Sequence, residues 1–214
     1  MSTAAQQSQI TYYRHRAAEY DATAYGDLAA ADARIAGLVE QLRPAGEVLE
    51  IAPGTGVWTE KLARLARTVT AVDTAPEMIE IAQRRVCGQA VEFVVANVFE
   101  WVPQRRFDTV FFSAWLSHVP DASFAAFWSL LGEWLRDDGR VVFVDEQVGE
   151  AGKEAYLADS AEIVQRRLAD GSRYQIVKVF RSPPELERAL GRLGWRARVR
   201  SSGPDWLVGE AWPI

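Results

Sequence analysis

Apolar residues change their spacing several times along this chain, and the changes mark out helices and strands in turn. Ile35, Leu38, Val39 and Leu42 recur at helical spacing, so the Ala-rich first forty residues read as helical, with one face packed on a sheet. Val48 to Ile51 is a short apolar run broken only by Glu50; a bend, A-P-G-T-G, follows, and a helical segment begins at Val57. Val69–Asp73, Val91–Val95, Phe107–Ser113 and Arg140–Asp145 are further runs of strand length, rich in β-branched or aromatic residues. Thr74-Ala75-Pro76-Glu77 reads as a capping box with an early proline, opening a helix through Met78, Ile79, Ile81 and Ala82. Asp121 to Gly139 reads as helix and turn. Asp121 is its expected cap, and Phe124, Phe127, Trp128, Leu131, Trp134 and Leu135 form its core stripe. Ser182-Pro183-Pro184-Glu185 starts a last helix with Leu186, Ala189, Leu190 and Leu193 inward. Trp195–Arg200 and Trp206–Trp212 then form a closing hairpin about the S-G-P-D turn. Residues 147–181 are predicted to hold a helix over Lys153 to Ala169, a turn at Asp170-Gly171 and a strand over Tyr174 to Phe180. Strands alternating with helices in this way predict an α/β fold, doubly wound about a mostly parallel sheet.

The bend after the first strand has a chemical use. Gly54 and Gly56 lack a Cβ that would block a ligand, and the helix that follows offers unpaired N–H groups. A nucleotide-like ligand suits such a turn. No Lys-Ser or Lys-Thr follows the glycines, so it is not a phosphate-binding P-loop. Read as a dinucleotide fingerprint from Gly54, the pattern puts Thr59 where a third small residue is needed. Read from Ala52 it is A-x-G-x-G, with Glu50 two residues earlier. Asp73 closes the second strand 23 positions after Glu50, where a doubly wound fold places the carboxylate that accepts two ribose hydroxyls. With Thr74 as the helix cap, Asp73 is left free for that task.

Glu50 to Gly56, E-I-A-P-G-T-G, resembles the first motif of class I S-adenosylmethionine-dependent methyltransferases, commonly E/D-x-G-x-G-x-G. Ala52 stands here for the first glycine and Pro53 follows it. V-T-A-V-D, A-N-V-F, F-D-T-V-F-F-S and L-R-D-D-G-R-V-V-F follow in the family's order, with Asp137-Asp138 where the family has Pro-Gly. The resemblance covers Glu47 to Asp145 and points to the broad small-molecule group that includes quinone and antibiotic-tailoring enzymes. It implies a seven-stranded sheet, S-adenosyl-L-methionine as cofactor and S-adenosyl-L-homocysteine as product. It implies that Tyr20, Glu50, Ala52, Pro53, Gly54, Gly56, Trp58, Asp73, Thr74, Met78, Asn97, Val98, Phe99 and Ser113 bind the cofactor. It further implies that residues 1–43 form a helical lid, and that 147–181 is an insertion building the acceptor pocket. Tyr12, Trp115 and Arg173 are the acceptor-side candidates, and His118 in S-A-W-L-S-H-V-P is the one candidate base.

Whole-chain properties narrow the setting. A chain of 214 residues suits a single domain, 1–214. No apolar run approaches the roughly 20 residues of a membrane helix, and the first residues lack signal-peptide character. Cys87 is the lone cysteine, so a cytoplasmic setting without disulfides is expected. A net charge of −5, with arginines scattered in doublets, argues against nucleic acid. His15, His118 and Cys87 lack metal-ligand spacing, and the adjacent strand residues Asp145 and Glu146 point to opposite faces, so no metal is expected. Phe111, Phe112 and Trp115 read as walls for a planar or apolar small-molecule acceptor. A monomer or homodimer is expected. Two other classes stay open at this point: a non-methylating protein on the same fold, and an NAD(P)-dependent oxidoreductase.

Overall fold

The computed structural model describes residues 4–214. Its helices are α1 (Ala4–Arg16), α2 (Tyr20–Ala24), α3 (Leu28–Leu42), α4 (Val57–Leu65), α5 (Pro76–Arg85), α6 (Asp121–Trp134) and α7 (Pro183–Arg192). Its strands are β1 (Glu47–Ile51), β2 (Thr68–Asp73), β3 (Val91–Val95), β4 (Phe107–Ser113), β5 (Leu135–Glu146), β6 (Ile163–Arg167), β7 (Arg173–Val177), β8 (Trp195–Ser202) and β9 (Trp206–Pro213). Seven strands make one sheet in the order β3-β2-β1-β4-β5-β9-β8. β1 runs parallel to β2 and β2 to β3, while β9 is antiparallel to both β5 and β8. The α/β reading and the mostly parallel seven-stranded sheet therefore hold.

Two compact units are distinguished. One comprises Tyr13–Phe111 and Trp134–Gly139; the other comprises Phe112–Glu133, Arg140–Ile214 and the chain up to Tyr12. In the first, Val48, Leu49, Glu50 and Ile51 are all buried, as expected of a parallel strand covered on both faces. Gly46 makes room there for Asp108, which accepts from the Glu47 N–H and pairs with Arg136. Arg136 also binds Glu47, and it draws Leu135–Gly139 into an extended path, so β5 begins five residues before the expected Arg140.

In the second unit, Phe112, Phe127, Trp128 and Phe143 form an aromatic core. Helix α7 begins with the expected capping box, Ser182 with Glu185. Asp121 does not cap α6; its carboxylate pairs with Arg181. The helix expected over Lys153–Ala169 is absent. Val148–Lys153 is a 3-10 turn, the Ser160 hydroxyl accepts from the Glu162 and Ile163 N–H groups, and β6 then pairs antiparallel with β7. The β-branched pair Ile163-Val164 suits that hairpin, and the Ser160 turn interrupts any helix leading to it. On the far edge of β7, the Gln175 N–H donates to Ser8 Oγ and the Val177 N–H to Gln9 Oε1.

Candidate active site

The loop after β1 is built on unusual backbone angles. Ala52 has φ +54°, Gly54 +56° and Gly56 +83°. Among the described residues an added Cβ on Gly54 would meet only the Tyr20 ring, at 3.9 Å, so a ligand can approach there. Gly56 also serves packing. A Cβ there would stand 2.9 Å from the Ala82 backbone, so this glycine lets α5 pack against the loop. Ala52 is an L-residue in the left-handed region, at a cost of roughly 1–2 kcal/mol that glycine would not bear. Ala52→Gly is therefore expected to stabilise the protein by about 1 kcal/mol and raise the melting temperature by about 2–4 °C, with cofactor affinity retained. Thermal melts with and without S-adenosylmethionine check it.

Two carboxylates flank this loop. Asp73 is not left free, and Thr74 does not cap the next helix: Ala75 is the N-cap of α5. Asp73 Oδ1 accepts from the Ala75 N–H at 2.9 Å and Oδ2 from the Gly54 N–H at 3.3 Å, which ties the end of β2 to the loop. A carboxylate has about four lone-pair sites, so acceptor capacity remains for a hydroxyl. Burial pushes the Asp73 carboxyl up to about 6, against the pull of those N–H groups. Glu50 is 1% exposed, and its Oε2 has no hydrogen-bond partner among the described residues. Burial pushes it up to about 8, with the nearby Thr59 hydroxyl opposing and the Asp73 charge adding. A buried, unsatisfied carboxyl beside an open glycine loop is what a cationic group of a cofactor requires.

Neighbouring side chains complete this half. Tyr13, Tyr20 and Tyr25 form a ring cluster, with Tyr20 also packed on Ala75 and Met78. Asp21, which the sequence did not single out, accepts from the Thr55 hydroxyl of the loop and pairs with Arg85. Trp58 is buried on Phe111. Asn97 Oδ1 is taken by the Phe99 N–H at 3.1 Å, so its amide NH2 is the part that can serve an adenine; Val98 is buried beside it.

Other candidates lie in the second unit. Ser113 ends β4, and the next residue, Ala114, again has positive φ, +47°. Trp115 is half-buried against Phe127, with its indole N–H buried and unpartnered among the described residues. Phe111 and Phe112 are not walls: both are fully buried in their own packing clusters. Tyr12 is buried with its ring against Tyr174, and Arg173 is exposed at the start of β7. His118, 6% exposed, lies 2.7 Å through Nδ1 from the Val177 carbonyl. A carbonyl only accepts, so Nδ1 carries the proton and Nε2 is the basic nitrogen. Lys178, which the sequence reading did not single out, is 1% exposed and paired with Glu146. Its signal was a single charge inside an apolar run, I-V-K-V-F.

Comparison with known proteins agrees with this architecture. Residues 48–139 match the methyltransferase domain family. The ubiquinone biosynthesis O-methyltransferase of Xanthomonas axonopodis pv. citri is 30% identical over 180 residues, covering 76% of this chain and 73% of that protein. A DhpI–SAH complex superposes with a TM-score of 0.85 at 42% identity, covering 100% of this chain and 98% of that one. A DhpI–SAM–HEP complex gives 0.86 at 41%, with both chains fully covered. The chain belongs to the class I S-adenosylmethionine-dependent methyltransferases of the small-molecule type. It moves a methyl group from S-adenosylmethionine to a small molecule and leaves S-adenosylhomocysteine. Among the described residues no helix is long and apolar enough to cross a membrane.

Proposed function

We propose that this enzyme methylates an oxygen of its small acceptor, and that His118 takes the acceptor proton. The observation that carries this is the Val177 carbonyl on Nδ1, which puts the proton of the neutral ring there and makes Nε2 its basic nitrogen. The curated relatives are named O-methyltransferases, in keeping with an oxygen nucleophile. S-adenosylmethionine supplies a methyl group already activated by its sulfonium, so the protein's task is alignment, exclusion of water and removal of the acceptor proton. Glu50 meets the cofactor's cationic end, Asp73 its ribose, and Asn97 its adenine. The helices up to residue 43 act as the lid, a role supported by Tyr20 over Gly54 and by the Asp21–Thr55 hydrogen bond. Residues 147–181 serve the acceptor, with Trp115, Tyr12 and Arg173. The enzyme works as a monomer or homodimer in the cytoplasm.

HEP, present with SAM in the DhpI complex, is the first acceptor to test, followed by a hydroxylated ubiquinone precursor. Formation of S-adenosylhomocysteine with either supports oxygen methylation; turnover only with amines or thiols would end it. His118→Gln is expected to lower kcat by roughly 10²–10⁴-fold with cofactor affinity unchanged. Wild-type turnover in that variant would remove His118 as the base.

A further inference from the structure

His118 sits in a short 3-10 turn, Leu116–His118, that makes no hydrogen-bonded ladder of its own beyond single-turn bonds. Its neighbour Ser117 is gripped at every polar group. The Ser117 N–H donates to Asp145 Oδ2 at 3.2 Å, its carbonyl accepts from the Val179 N–H at 2.7 Å, and its Oγ accepts from Lys178 Nζ at 3.1 Å. Asp145 is the next-to-last residue of β5, Val177 ends β7, and Lys178 and Val179 follow directly after it, so the turn is clamped from two sides. The same edge of β7 supplies the Val177 carbonyl to His118.

The ammonium of Lys178 is an expensive way to fill this space. It is 1% exposed, its Nζ is 2.6 Å from Glu146 Oε2, and it lies 5.2 Å from the centre of the Phe180 ring. An apolar side chain of similar length would pack there at no desolvation cost. What it would not do is donate to Ser117 Oγ, nor oppose the buried charge of Asp145, whose carboxyl burial drives upward.

We propose that Lys178 and Asp145 are positioning residues for methyl transfer: they lock Ser117 and thereby hold the His118 ring with Nδ1 on Val177 and Nε2 toward proton removal. This rests on the reading of His118 as the base. The chain has only two histidines, His15 and His118, so imidazole nitrogen NMR of the full-length protein reports His118 directly, with no acceptor needed. Wild type is expected to show His118 as the Nδ1–H tautomer. Lys178→Met and Ser117→Ala are expected to convert it to a mixture with the Nε2–H form, while calorimetric affinity for S-adenosylmethionine stays within about twofold. Unchanged nitrogen shifts in both variants would overturn the proposal. Should Lys178→Met fail to bind cofactor, and so fail to fold, Ser117→Ala decides alone. The base reading fails separately, through full turnover in His118→Gln, and leaves the NMR outcome untouched.

Discussion

Asp73→Ala is expected to bind S-adenosylmethionine about a hundredfold more weakly than wild type. Two effects add. With Asp73 as the proposed ribose ligand, the variant loses its hydroxyl hydrogen bonds to a carboxylate, each worth roughly 1.5 kcal/mol or more. It also releases the Gly54 N–H, which Asp73 Oδ2 holds at 3.3 Å, so the loop must be ordered at the expense of binding. Asp73→Asn keeps an acceptor for one N–H and is expected to fall between the two. Isothermal titration of the three proteins checks the order; equal affinities would take Asp73 out of the cofactor site.

Glu50→Gln is expected to change both affinity and proton traffic. With the carboxyl held up to about 8, the cofactor-free protein carries a proton on Glu50 at pH 7. A cation arriving beside it favours the charged form and expels that proton. Titration at pH 7 in buffers of different ionisation enthalpy is expected to show release of up to about one proton in wild type and almost none in Glu50→Gln. Affinity in the variant is expected to fall roughly tenfold or more, since a charge-assisted contact is lost. Linkage gives a second sign to check. An acid whose folded pKa lies above its unfolded value binds protons more tightly when folded, so its contribution favours the native state at low pH. That contribution is lost as pH rises from about 4.5 to about 8 for Glu50, and from about 3.8 to about 6 for Asp73. Cofactor-free wild type should therefore lose stability across this window more steeply than Glu50→Gln, and saturating cofactor should flatten the slope.

Much of this site was legible in the chain because it is local. Glu50, the glycine bend and Asp73 lie at the ends of two short strands, and strand–turn–helix chemistry is written within a few neighbouring residues. The same holds for the Ser182 capping box and the closing hairpin. What escaped depends on distant partners. Asp73 looked free because its Gly54 tie crosses nineteen positions. The packing role of Gly56 escaped because the Ala82 backbone that crowds it comes from another helix. Phe111 and Phe112 looked like walls because a strand's end does not reveal how far its core extends. The Lys153–Ala169 helix failed because Ser160 turns the chain and β7 offers Ile163–Arg167 a pairing partner. Lys178 was lost among the arginines for the same reason: its burial is set by Ser117 and Glu146, which lie far from it in sequence.

The far edge of β7 has a consequence for how the chain is handled. Ser8 and Gln9 occupy two N–H groups that would otherwise sit open along a hairpin rim. The little sheet thus finishes in side chains and offers no template to a foreign strand. Trimming a dozen residues from the amino terminus would strip away that cover and turn a quiet rim into a sticky one.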